Sequence, residues 1–174
     1  MSSRLARRVH AFPDMALGVT KARSGDRWVR ERALWAQGCR VAGLDEVGTG
    51  AWAGPVVGGC VVFPPGAPDD GQTSWCAIDD SKRLSPGRRV ELDAWIREKA
   101  QAVGLGWVEV TELGALGMYR ASLLALERAL ADAMQAGPGA HVDHLLVDAR
   151  TLPSFRGDQT ALVGGDGLSA SIGA

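Results

Sequence analysis

The chain has 174 residues, 46% of them hydrophobic, which suits one domain with an ordinary buried core and is too apolar for a chain disordered throughout. Net charge is −1 but unevenly spread: residues 1–40 carry nine basic and three acidic side chains, and the rest of the chain carries ten and seventeen. Cys39, Cys60 and Cys76 form no Cys-x-x-Cys pair, which excludes a disulfide framework and a zinc knuckle, and no run approaches the roughly 20 apolar residues of a membrane span.

The opening MSSRLARRVHAFPDMALGV has a short apolar stretch broken by Pro13 and Asp14, against the pattern of a signal peptide. A soluble, cytoplasmic protein is the expectation. Residues 1–26 mix Arg, Ser, Gly and Pro without periodicity and read as a basic extension, either a solvated terminus or an arm that attracts phosphate backbones. Residues 27–174 read as one domain. Arg27 to Gln37 predicts a short helix with Trp28, Leu34 and Trp35 as apolar contacts and Gly38 as its stop.

Val41 to Glu46 and Val56 to Phe63 are short apolar runs joined by the glycine-bearing loop GTGAWAGP, which predicts two neighbouring antiparallel strands. PPGAPDDGQ, from Pro64, is a loop by composition. Ser85 followed by Pro86 is a helix start, since Ser caps orphan N–H groups and Pro at the first helical position lacks only an N–H that would be unpaired anyway. Leu92, Trp95, Ile96 and Val103 give that helix an apolar face, Gly104 is read as its end, and LGWVEV returns as a strand. Thr111 and Glu112 open a second helical stretch in which Leu116, Leu123, Leu126, Leu130 and Met134 form a core stripe as far as the glycines flanking Pro138. His144 to Asp148 and Thr160 to Val163 are read as further strands. The order describes an α/β domain with a mixed sheet.

Asp45 and Glu46, at the end of an apolar run, are the candidates for chemistry. Adjacent carboxylates near a core repel and lose hydration, so the pair calls for a compensating charge, and a hard divalent cation with Asp148 as a third ligand supplies one. Adjacent strand residues point to opposite faces, so both reach one ion only where the strand ends or bulges, a departure that Gly48 and Gly50 permit. The alternative is a pair of ordinary strand-end charges. GTGAWA also matches a dinucleotide-binding glycine pattern, but it runs into Gly54-Pro55 and a strand where that pattern needs a helix N-terminus. Lys82 and Arg83 precede a helix and suit a phosphate, or are a solvated turn. His10, His141 and His144 have no nucleophile beside them and are assigned no role.

Together VAGLDEVGTGAWAGPVVGGCVV, DDSKRLSPGRR, HLLVDARTLP and GGDGLSASI resemble ribonuclease HII in order and spacing, from about Glu31 to the last residue. The resemblance implies an RNase H-like mixed sheet flanked by helices, and hydrolysis of the RNA strand of RNA–DNA hybrids or at single ribonucleotides in duplex DNA, leaving 3′-hydroxyl and 5′-phosphate ends. It implies that Asp45, Glu46 and Asp148 are catalytic carboxylates holding Mn2+ or Mg2+, with Lys82 beside the substrate phosphates and the chain acting as a monomer. Gly48, Thr49 and Gly50 stand where the family has Gly-Arg-Gly, a loop that senses the 2′-hydroxyl; Thr49 removes one charge-assisted contact. The family's Lys after Gly-Asp is absent at Gly167-Leu168. Its fourth carboxylate, further helices and a substrate-contacting Tyr are expected beyond Ala174, so the likeness implies a shortened copy. A non-catalytic protein that binds hybrids, or an inactive truncated homologue, is the competing expectation.

Overall fold

The computed structural model describes residues 26–50, 54–69, 73–135 and 141–174; the basic extension, but for Asp26, lies outside them. Helix α1 (Val29–Trp35) precedes an antiparallel pair, β1 (Val41–Val47) and β2 (Val56–Val62). Then come α2 (Pro86–Lys99), β3 (Ala102–Val108), α3 (Val110–Leu116), α4 (Met118–Gln135), β4 (His144–Asp148), β5 (Asp158–Leu162) and the short α5 (Ala170–Gly173). The sheet order is β3-β2-β1-β4-β5, with β4 and β5 parallel to β1. Central β1 thus joins an antiparallel half to a parallel one, as the mixed-sheet expectation requires.

Strand alternation divides the sheet into two faces. Ala42 and Leu44 of β1, with Cys60, Val62, Ala102, Leu145 and Val147, pack beneath Leu126, Ala129, Leu130 and Ala133 of α4. The reverse face carries Val61 and Phe63 against Trp28 just before α1, Trp75 from the segment between β2 and α2, and Leu92 and Ile96 of α2. On that face Val41 and Leu146 meet Leu34 and Ile172.

Several predicted starts and stops hold. The Ser85 hydroxyl accepts from Arg88 N, and Pro86 opens α2. Gly38, at φ +80°, follows the end of α1, where its N–H reaches the Trp35 carbonyl.

Three expectations are corrected. α2 ends at Lys99, and Val103 and Gly104 belong to β3. Gly104 is there because α4 lies on it: a Cβ would come within 2.2 Å of the Ala129 carbonyl oxygen. The second helical stretch is two helices, with α3 closed at its start by a reciprocal Glu109–Glu112 capping box and separated from α4 by Gly117 at φ +74°. Its core stripe is rich in small residues, namely Ala121, Ser122, Ala125, Leu126, Ala129, Leu130 and Ala133, while Met134 is exposed. The leucine spacing locates the helix but sets its inward face partly wrong, because close contact with strand glycines selects alanine.

A methyl group at position 104 must therefore push two backbones apart. Gly104→Ala is expected to lower unfolding free energy by about 1–3 kcal/mol, measured by chemical denaturation. Gly87→Ala, on an open part of α2 with no atom within 4 Å of the added Cβ, is expected to be neutral or to stabilise by up to about 1 kcal/mol.

Candidate active site

β1 runs in unbroken register with β2 through Asp45–Gly59, Glu46–Gly58 and Val47–Val57. The bulge expected to bring both carboxylates to one side is absent from this register. The chain departs only at Gly48, whose φ is +98° and whose Cβ position lies 2.4 Å from the Pro55 carbonyl oxygen, leaving room for glycine alone. Thr49 and Gly50 follow in an exposed turn, and residues 51–53 of the loop lie outside the described ones.

Asp45 therefore shares the face of Gly43, and Glu46 the opposite face, toward α4. Asp45 opens into a groove with Gly59, Ile96, Leu105, Asp166 and Ser171. Parallel β4 continues from the Leu44–Val147 pair so that Asp148 stands level with Asp45. The Asp148 Oδ1 accepts from Gly165 N at 2.7 Å, which ties the end of β4 to the turn Gly165–Gly167 and so to Asp166. Asp166 is a carboxylate that sequence reasoning passed over as a site residue. Its signal was an acid between two glycines just past a strand.

Burial, with the charges of Asp148, Glu46 and Asp166, pushes the Asp45 carboxyl up to about 7, although Glu46 N donates to it at 2.7 Å. Lys82 supplies part of the compensation. It sits in the turn Ser81–Arg83, whose start is capped by Asp80, and its Nζ lies 3.2 Å from Asp166 Oδ2 and 3.8 Å from Asp80. The cation predicted for a phosphate thus stands at the rim of the acidic group, largely exposed.

Glu46 has a different partner. Its Oε1 lies 3.0 Å from Arg150 Nη2, and its buried Oε2 has no hydrogen-bond partner among the described residues. Arg150 follows Ala149, the one non-glycine at positive φ (52°) among the described residues, which redirects the chain immediately after Asp148. Arg150 also covers the Tyr119 ring, 5.5 Å from its centroid. Neither Arg150 nor Tyr119 was singled out from sequence.

The donor set around the end of β1 is all oxygen, and it is short of positive charge. That fits a hard divalent cation better than a soft one. As they stand, no three acidic, His or Cys side chains among the described residues are close enough together to hold an ion. Asp45, Asp148 and Asp166 share one side and Glu46 is turned to the other.

A sequence model described as Ribonuclease HII matches residues 42–172. The chain belongs to the ribonuclease HII family. It is 46% identical over 145 residues to a ribonuclease HII of Moorella thermoacetica, covering 83% of this chain and 65% of that one. A ribonuclease HII of a Synechococcus species is 43% identical, with 83% and 62% covered. This chain therefore spans less than two thirds of the length of either relative. Among solved structures, the ribonuclease H2 of Pyrococcus horikoshii superposes with a TM-score of 0.59 at 21% identity, covering 77% of this chain and 67% of that one. Bst-RNase HIII in complex with Mn2+ superposes with a TM-score of 0.64 at 18% identity, covering 78% and 48%. These two likenesses establish the RNase H-like fold. No described helix is long and apolar enough to cross a membrane.

The raised Asp45 carboxyl gives a pH signature in metal-free protein. The folded state holds a proton between about pH 4, where an unfolded Asp ionises, and about 7. Unfolding there releases that proton, so stability falls as pH rises through the window and levels off above it. Asp45→Asn removes this fall. In chelator, its melting temperature is expected to gain on the parent's between pH 5 and pH 8; a constant gap between the two proteins counts against the assignment.

Proposed function

We propose that this chain carries the metal-binding carboxylates of an endonuclease that hydrolyses the RNA strand of RNA–DNA hybrids, including single ribonucleotides in duplex DNA, with Mn2+ or Mg2+. The observation that carries this reading is Asp45: a partly buried carboxylate at a strand end, crowded by Asp148 and Asp166, where a bound cation relieves both desolvation and repulsion. Membership of the ribonuclease HII family and the Mn2+ complex of the structurally similar Bst-RNase HIII support the same chemistry.

Asp45, Glu46 and Asp148, with Asp166, would hold the ion or ions. When bound, the metal supplies an activated water and charge stabilisation at the leaving 3′-oxygen. Lys82 neutralises substrate phosphate at the groove rim, exchanging Asp166 for it. Gly48 and Gly50 flank an exposed turn whose backbone can approach a ribose 2′-hydroxyl, and Thr49 offers a hydroxyl there in place of a cation. The substrate is a soluble duplex, and we place the protein in the cytoplasm as a monomer.

A second reading, a fold that binds hybrids without cutting them, draws on the separation of the carboxylates to two sides of β1. Cleavage of a labelled DNA duplex carrying one ribonucleotide, with Mn2+ and with chelator, separates the two. The expected result is metal-dependent nicking, reduced at least a hundredfold in Asp148→Asn, on the order of the loss when a group stabilising transition-state charge is removed. Well-folded protein that binds the duplex and never nicks it supports the second reading.

A further inference from the structure

Arg150 and Tyr119 take no part in the chemistry assigned to the acidic groove. Glu46 is largely buried, its side chain 8% exposed, and it faces away from Asp45, Asp148 and Asp166. The guanidinium of Arg150, a half-buried residue, holds Oε1 at 3.0 Å, and the exposed Tyr119 ring at the start of α4 lies against it from another side. Ala149 adopts a left-handed backbone between Asp148 and Arg150, a conformation that disfavours Ala and persists only when its surroundings impose it. Its N–H is fixed to the Leu162 carbonyl at 2.9 Å. The turn sends Asp148 and Arg150, two residues apart, to different carboxylate neighbours.

We propose that Arg150 is a tethered cation that latches Glu46 on the reverse side of β1 in the metal-free protein, and that a divalent ion recruits Glu46 only by breaking this latch. The inference rests on the metal-dependent function proposed for the carboxylates. A buried carboxylate with one orphan oxygen needs a positive neighbour. Before metal arrives, the guanidinium supplies it. With an ion held by the other carboxylates, Glu46 would have two competing cations, and the energy of leaving Arg150 would be subtracted from metal affinity. Tyr119 raises that threshold by stabilising the guanidinium where it sits. Arg150 is thus a positioning residue that sets how much metal the site requires.

Two measurements on the full chain test this, neither of them catalytic. Mn2+ titration followed by electron paramagnetic resonance, without nucleic acid, should show Arg150→Met binding about tenfold more tightly than the parent, the effect of deleting one partly screened charge beside a ligand. Tyr119→Leu should bind about two- to fivefold more tightly. Arg150→Lys, which keeps the charge, should stay within about threefold of the parent.

Tyr119 is the sole tyrosine of the chain, so protein grown with 3-fluorotyrosine has one fluorine resonance. That resonance should move on addition of Mg2+ to the parent and stay still in Arg150→Met. Equal or weaker Mn2+ binding by Arg150→Met in folded protein, or a parent resonance that ignores Mg2+ at saturation, overturns the latch and leaves the metal site intact. Absence of Mn2+ binding by parent and variants alike overturns the metal reading itself, and the latch with it.

Discussion

A Cβ on Gly43 would lie 2.1 Å from the Ser171 carbonyl carbon, and one on Gly58 would lie 2.5 Å from the Ala125 carbonyl oxygen. The central strands are gripped at backbone distance from both faces, by α5 on one side and α4 on the other. Gly106, beside Ala125 and Ala129, extends the second contact. Contacts this close leave almost no slack, so the direction of each side chain at the end of β1 is fixed by strand alternation. The carboxylates cannot swing to a common side by rotating the strand. Rearrangement there must come from side chains and from the turns beyond Val47 and Asp148.

That rigidity explains the division of charge. On the α5 side, Asp45, Asp148 and Asp166 are served by exposed Lys82. On the α4 side, Glu46 is served by inward Arg150. Water screens an exposed lysine and lets it exchange partners cheaply, whereas a half-enclosed guanidinium braced by an aromatic ring leaves its carboxylate at greater cost. One acidic strand end therefore has a labile cation on one side and a retained one on the other. Arg27 reinforces the first side from a distance. Its guanidinium donates to the carbonyls of Ile78 and Asp166 and to the Asp79 carboxylate, linking the segment before α1 to both loops that frame the groove.

Local features of the chain were legible because their physics is local. Ser85-Pro86 can start a helix whatever surrounds it, and the valine-rich runs pair because a two-sided apolar strand has nowhere else to go. The place of Asp148 at the end of a strand was legible by the same logic, from HLLVD. Gly104 was misread because glycine serves both as a helix stop and as a point of close approach, and only the position of α4 distinguishes the two. The alanine face of α4 escaped for the same reason. At the site, Asp45 and Glu46 were visible as a pair, and alternation already stated that they diverge. Asp166 and Arg150 were not visible as partners. Asp166 meets Lys82 across 84 residues, and the Arg150–Glu46 pair depends on a left-handed alanine that no composition or periodicity announces.

Glu31 of α1 is fully buried, and its Oε1 accepts from the Ser169 hydroxyl and from Ser171 N, across 138 and 140 residues. Its counterpart groups are made long after it. During synthesis α1 leaves the ribosome early, yet the groups that neutralise its buried acid appear only when the segment following β5 has been translated. β1 likewise waits for β4, since Val41 pairs with His144. The antiparallel β1–β2–β3 half pairs segments that follow one another in the chain, whereas the parallel half must first close a large loop. Until β4 is made, one edge of the central strand lacks its partner in this sheet, the geometry most open to pairing with another chain.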